Sequence, residues 1–167
     1  MDLNTIKLPV SEIANLYKKT LVDLKENPTS NSEINTSIEW KFLGENKKNT
    51  LIILKYQNVT HLPDKQLAFL TKLLSACNLS LGDVAIINFQ TYDASQLNDI
   101  LQFFKPKNTL LFGIDPLDIG MPMKFPEFQI QNFKEIKFIS SPSLETIEPD
   151  KSLKGNLWIA LKKIYNL

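Results

Sequence analysis

Side chains able to do chemistry are sparse in this chain, and few are spaced to work together. The single histidine, His61, lies in a polar loop with no second histidine or cysteine near it in sequence, so no metal site is expected there. A solvated loop residue is the favoured reading. The single cysteine, Cys77, falls on the apolar face of an expected helix and reads as a packed core thiol rather than a nucleophile. A Ser-His-Asp triad would need His61 to serve Ser141 or Ser143, and neither serine stands in a Gly-x-Ser-x-Gly elbow. The glycines, Gly44, Gly82, Gly113, Gly120 and Gly155, form neither a GxGxxG nor a GxxxxGK[ST] pattern. Dinucleotide and P-loop nucleotide binding are therefore disfavoured, and no cofactor is expected.

Two groups of residues remain. Gly113, Asp115 and Asp118 follow an apolar strand, and the turn Ser141-Pro142-Ser143-Leu144 follows another. If both strands belong to one parallel sheet, Gly113, Asp115, Ser141, Pro142 and Ser143 gather at its C-terminal edge, where carboxylates and free backbone donors commonly bind or react. The structural alternative is a turn aspartate before Pro116 and a solvated charge at Asp118. The second group is Lys154, Lys162, Trp158 and Tyr165, with Lys151 and Lys163, on the last helix. It could form a basic and aromatic surface for a protein or, weakly, for single-stranded DNA. A solvated helix face is the favoured alternative.

The elements that must position these residues follow from periodicity. Ile13, Leu16, Tyr17, Leu21 and Leu24 mark an N-terminal helix from Ser11 to about Lys25, and the polar stretch from Glu26 to Ser37 reads as a linker. Ile38, Trp40 and Phe42 alternate as an edge strand or hairpin arm, with a turn at Gly44-Glu45-Asn46. The apolar runs Leu51 to Leu54, Val84 to Phe89 and Thr109 to Phe112 read as strands buried on both faces. Between them lie a helix capped by Asp64 and carrying Leu67, Leu70, Leu74 and Cys77, and a second carrying Leu97, Ile100, Leu101 and Phe104. Gly113 to Phe128 is a long loop, read as structural cover in preference to a lid. An extended segment from Phe128 leads to the Ser143-capped turn and to a closing helix whose apolar face is Leu153, Leu157, Ala160, Leu161 and Ile164. The alternation predicts an α/β fold, a three-layer doubly wound, mostly parallel sheet, with residues 38–167 as one domain and residues 1–37 as helix and linker.

Composition agrees with a single core: 167 residues, 43% hydrophobic, with Lys+Arg 19 against Asp+Glu 18. The near-neutral balance gives no overall attraction to nucleic acid or anionic lipid. With one cysteine, no signal-type start and no long apolar run, a cytoplasmic protein without membrane contact is expected.

Leu110-Leu111-Phe112-Gly113 and Ser141-Pro142-Ser143-Leu144 resemble the third-strand and His-Pro-Ser motifs of the uracil-DNA glycosylase fold superfamily. The turn and the following DKSLKGNLWIALKKI are most similar to the psi subunits of bacterial DNA polymerase III, over roughly Thr50 to Leu167. The resemblance implies the glycosylase-like fold, and its departures bear on activity. Where active glycosylases resemble one another in a water-orienting Gly-x-Asp-Pro loop, this chain has Lys55-Tyr56-Gln57-Asn58-Val59, without a carboxylate. Where they carry a histidine that stabilises the leaving base, it has Ser141, a neutral hydroxyl. The resemblance thus implies a non-catalytic interaction module with replisome or repair partners and the segment before Ile38 as docking arm. A nucleic-acid binder or divergent enzyme using the sheet edge is the alternative.

Overall fold

The core of the fold is a ladder of strands whose residues are apolar on both sides. In the computed structural model, which describes residues 39–167, the strands are β1 (Phe42–Gly44), β2 (Thr50–Leu54), β3 (Val84–Asn88), β4 (Asn108–Phe112), β5 (Ile130–Phe133) and β6 (Ile136–Ser141). They form one six-stranded mixed sheet in the order β1-β3-β2-β4-β6-β5. The inner pairs β3·β2, β2·β4 and β4·β6 are parallel, and β1 and β5 run antiparallel at the two edges. All five residues of β2 and all five of β3 are buried. Alternation sends Ile52, Leu54, Val84, Ile86, Leu110 and Phe112 to one face, and Leu51, Ile53, Ala85, Ile87 and Leu111 to the other. Each fully buried Leu or Ile contributes roughly 1.5 to 3 kcal/mol of transfer free energy, so the pattern leaves neither face free to meet water.

Helices cover both faces. Against the first pack α1 (Asp64–Ala76), α3 (Leu144–Ile147) and α4 (Lys151–Tyr165), through Leu70, Leu74, Leu144, Ile147, Leu157, Ala160, Leu161 and Ile164. Cys77 is buried in this cluster, and burial pushes its thiol up to about 11, as expected for a core thiol. Against the second face pack α2 (Leu97–Phe104) and the loop after β4, through Ile114, Ile119, Met121 and Phe125. The Gly113 to Phe128 stretch is thus part of the core on that side, although Leu117 and Met123 remain exposed. No helix among the described residues is long and apolar enough to cross a membrane.

Several local expectations are corrected. The N-cap of α1 is Pro63 rather than Asp64, which occupies the first helical position and makes no capping bond. β1 pairs with β3 and not with the strand that follows it, so it is an edge strand and not a hairpin arm. Its Gly44 sits at φ +104, and an added Cβ would lie 2.1 Å from the Val84 carbonyl oxygen, so no other residue fits. The extended segment after Phe128 is a hairpin of β5 and β6, closed by Lys134 and Glu135 at φ 49 and 64. Two positive values define the mirror-image turn that matches strand twist, for which Asn-Gly is the usual signal. The N-terminal helix, the linker and Ile38 lie outside the described residues.

Because Glu135 holds a left-handed conformation without a hydrogen bond or ion pair among the described residues, Glu135→Gly should stabilise the domain by roughly 0.5 to 1 kcal/mol. An upward shift of the urea midpoint at unchanged slope is the expected reading.

Candidate functional site

The C-terminal ends of β2, β3, β4 and β6 form one rim, and each end is tied to its neighbour. The chain order reverses between β2 and β4, the position at which open α/β sheets commonly bind ligands. At the end of β3, the buried Asn88 spends its side-chain amide on the loop after β2 and on the turn that follows β3 itself. Its oxygen accepts from the Tyr56 N–H at 3.0 Å and the Gln90 N–H at 3.2 Å. Its nitrogen donates to the Tyr56 and Val59 carbonyls at 2.8 and 2.9 Å. The Lys55 to Val59 loop is therefore held by a strand residue, with Asn58 in the left-handed region at φ 61. Asn88 received no role in the sequence reading. The available signal was one amide ending the otherwise apolar strand VAIIN.

The ends of β4 and β6 meet in a second clamp. The Gly113 N–H donates to the Ser141 carbonyl at 2.9 Å, and the Ser141 hydroxyl donates to the Leu111 carbonyl at 3.1 Å. Gly113 has φ +67, and a Cβ there would come within 2.8 Å of the Ser143 Cβ. Ser143 caps α3 as its sequence suggests, with its hydroxyl accepting from the Thr146 N–H at 3.3 Å. Asp115 caps the short 3-10 turn Pro116–Ile119 by accepting from the Leu117 N–H at 3.0 Å, and it pairs with Lys124 at 3.2 Å. These two contacts, the backbone bond first, lower its carboxyl below the usual value, which makes it a poorer base.

Gly113, Asp115, Ser141 and Pro142 line an open hollow of about 240 Å³, together with Lys124, Glu127 and Ser140, which sequence reasoning did not single out. Lys124 and Glu127 are brought in by the loop after β4, where Glu127 bridges to Ser140 and the Phe128 N–H donates to the Ser140 carbonyl at 2.8 Å. Nothing in their local sequence marks this return. Ser143 lies outside the lining, against Gly113, and Asp118 is an exposed residue of the 3-10 turn. His61 is not at the hollow either. It is half-buried, with Nδ1 enclosed and without a hydrogen-bond partner among the described residues, which corrects its reading as a solvated side chain. The polar groups best placed in the hollow are engaged in caps, carbonyl bonds and an ion pair, an arrangement that suits binding better than proton transfer.

The second group lies along one flank of α4. Lys162 Nζ sits 5.3 Å from the Trp158 ring centroid, and Lys154 Nζ sits 5.6 Å from that of Phe69 in α1. Trp158 is half-buried against the core and carries the lysine, so its ring is not an open stacking platform. Tyr165 turns its hydroxyl inward, where it has no hydrogen-bond partner of good geometry among the described residues. Burial pushes this phenol up to about 12, partly offset by the nearby Thr50 hydroxyl.

No protein-family model and no curated protein matches the chain.

Two measurements check these contacts. Asn88→Ala takes the partner from part-buried backbone groups of Tyr56 and Val59, and should cost about 2 kcal/mol in denaturant unfolding. Tyr165→Phe removes an unpartnered hydroxyl, so stability at pH 7 should change by less than about 1 kcal/mol. The Tyr165 phenol rises from 10.0 to about 12 on folding, so its contribution is whole below pH 10 and lost as pH climbs to 12. The variant should lose stability less steeply across that window, the remaining slope including Tyr56, whose phenol also rises to about 12.

Proposed function

We propose that this chain is a non-catalytic protein of the uracil-DNA glycosylase-like fold, a three-layer doubly wound α/β domain, acting as a protein-interaction module in DNA replication or repair, similar to the psi subunits. The parallel order β3-β2-β4-β6, with helices against both faces, supports the fold assignment. The observation that carries the functional reading is the state of the two rim positions where the resemblance would put excision chemistry. The loop after β2 has no carboxylate and is bound backbone-first to Asn88, and Ser141 is 4% exposed with its hydroxyl given to Leu111. Neither can orient water or meet a departing base. The partners proposed are replisome or repair proteins in the cytoplasm, with the segment before Ile38 as docking arm and at most weak contact with single-stranded DNA.

A second reading, a nucleic-acid binder or divergent enzyme at the rim, is favoured by the open hollow and its Asp115–Lys124 pair.

Two experiments separate them. Incubated with uracil-containing single- and double-stranded oligonucleotides, the purified chain should release no base and show no salt-dependent retention. Base release would sink the non-catalytic reading. Tagged chain in native lysate should recover polymerase, clamp-loading or repair proteins, and a form lacking residues 1–36 should lose them. Recovery of none by either form would remove the interaction-module reading.

A further inference from the structure

The outward side of α4 carries charge of one sign. From Lys151 to Tyr165 the helix holds Lys151, Lys154, Lys162 and Lys163 and no acidic residue, and these lysines are exposed. On the same sheet face α1 adds the exposed Lys72, while its one acidic residue, Asp64, stands in its first turn. Within this basic field Ile159 is 55% exposed, one helical turn from Gly155 and from Lys163. Nothing lies within 4 Å of where a Cβ on Gly155 would be, so the helix backbone there is open to close approach. An exposed isoleucine alone needs no explanation, and its surroundings carry the argument.

Two aromatic rings lie beside Ile159 under lysine covers. Trp158 and Phe69 are half-buried against the core, with Lys162 Nζ at 5.3 Å from the first ring centroid and Lys154 Nζ at 5.6 Å from the second. An exposed lysine is held over a ring only weakly, by the ring quadrupole and by packing of its stem. A carboxylate brought to the same ammonium offers a full counter-charge, and the ring thus uncovered can take an apolar side chain. The surface is therefore built to exchange a lysine cover for a partner that is acidic and apolar at once.

We infer that α4, with the adjoining edge of α1, receives an acidic amphipathic helix of a partner polypeptide. Its carboxylates meet the lysines, and its apolar residues meet Ile159, Trp158 and Phe69. Charge decides among the occupants. A second copy would set the lysines of one α4 against those of the other. The chain's own amphipathic stretch from Ser11 to Lys25 carries Lys18, Lys19 and Lys25 against Glu12 and Asp23, so it is basic too. The stretch from Glu26 to Ser37 has Ile34 as its one large apolar side chain. A nucleic acid would suit the lysines, but it needs open ring faces for stacking, has no use for Ile159, and finds no arginine anywhere in the chain to fork onto phosphate. The inference goes beyond the replication or repair reading and does not depend on it, because an isolated peptide reads this surface alone. Its failure would leave the lysate recovery unaffected, and the reverse also holds.

The test is titration of the isotope-labelled full chain with a helical peptide of about 15 residues, leucine along one face and glutamate along the other. Binding is followed through the Trp158 indole N–H and the backbone amides of Gly155 and Ile159. Saturable shifts that weaken with added salt are expected. Lys154→Glu together with Lys162→Glu should weaken the peptide about tenfold, as two exposed attractions become repulsions, and Ile159→Ser should also weaken it. These positions are exposed, so the variants keep the fold. Oligoglutamate without leucine, the same peptide with lysine for glutamate, and oligothymidylate should each give no saturable shift. No saturation by the leucine and glutamate peptide, equal binding of oligoglutamate or oligothymidylate, or undiminished binding in the lysine variants would overturn the assignment.

Discussion

The rest of the molecule depends on the burial of four adjacent parallel strands from both sides. Each of these strands offers apolar side chains up and down, so the ladder β3-β2-β4-β6 cannot exist with either face in water. Helices α1, α3 and α4 must cover one face. Among the described residues the other carries the short α2, and further area is covered by the loop after β4 through Ile114, Ile119, Met121 and Phe125. That loop is long and irregular because it is a piece of core without regular structure, anchored where Phe125 meets Phe138 at a ring distance of 5.8 Å.

Covering the sheet in this way determines the state of its C-terminal rim. Strand ends in a parallel sheet carry carbonyls and N–H groups that need partners. Here they find them in one another: the Asn88 amide binds the loop after β2, and Gly113 binds Ser141 and packs against Ser143. A rim satisfied internally is stable and well defined, but its polar atoms are already committed. Buried polar atoms without such a commitment among the described residues lie elsewhere, among them His61 Nδ1 and the Tyr165 hydroxyl.

Legibility in the sequence followed the range of the interactions. Double-sided burial was readable in Leu51–Leu54 and Val84–Asn88, since an uninterrupted apolar run has no polar face to give to solvent. The helices carrying Leu70 and Leu74, or Leu97 and Ile100, were readable from their spacing, as was the Ser143 cap. The hairpin at Lys134-Glu135 was not, because its positive-φ pair lacks the glycine or asparagine that advertises such turns. The antiparallel pairing of β1 with β3 joins residues separated by β2, α1 and a 3-10 turn in the chain, and nothing local specifies it.

Of the five rim residues picked out by type, four line the hollow, because the ends of neighbouring parallel strands must lie side by side once the register is set. What completes that hollow, Lys124, Glu127 and Ser140, depends on how the loop returns along β6, which is a matter of packing and not of spacing. The sequence by itself determined which segments become strands and helices, since periodic burial is a local property of the chain. Only the tertiary structure decided strand order, which polar side chains are spent on neighbours and which remain open, because those outcomes rest on contacts between residues that are distant in sequence and share no pattern.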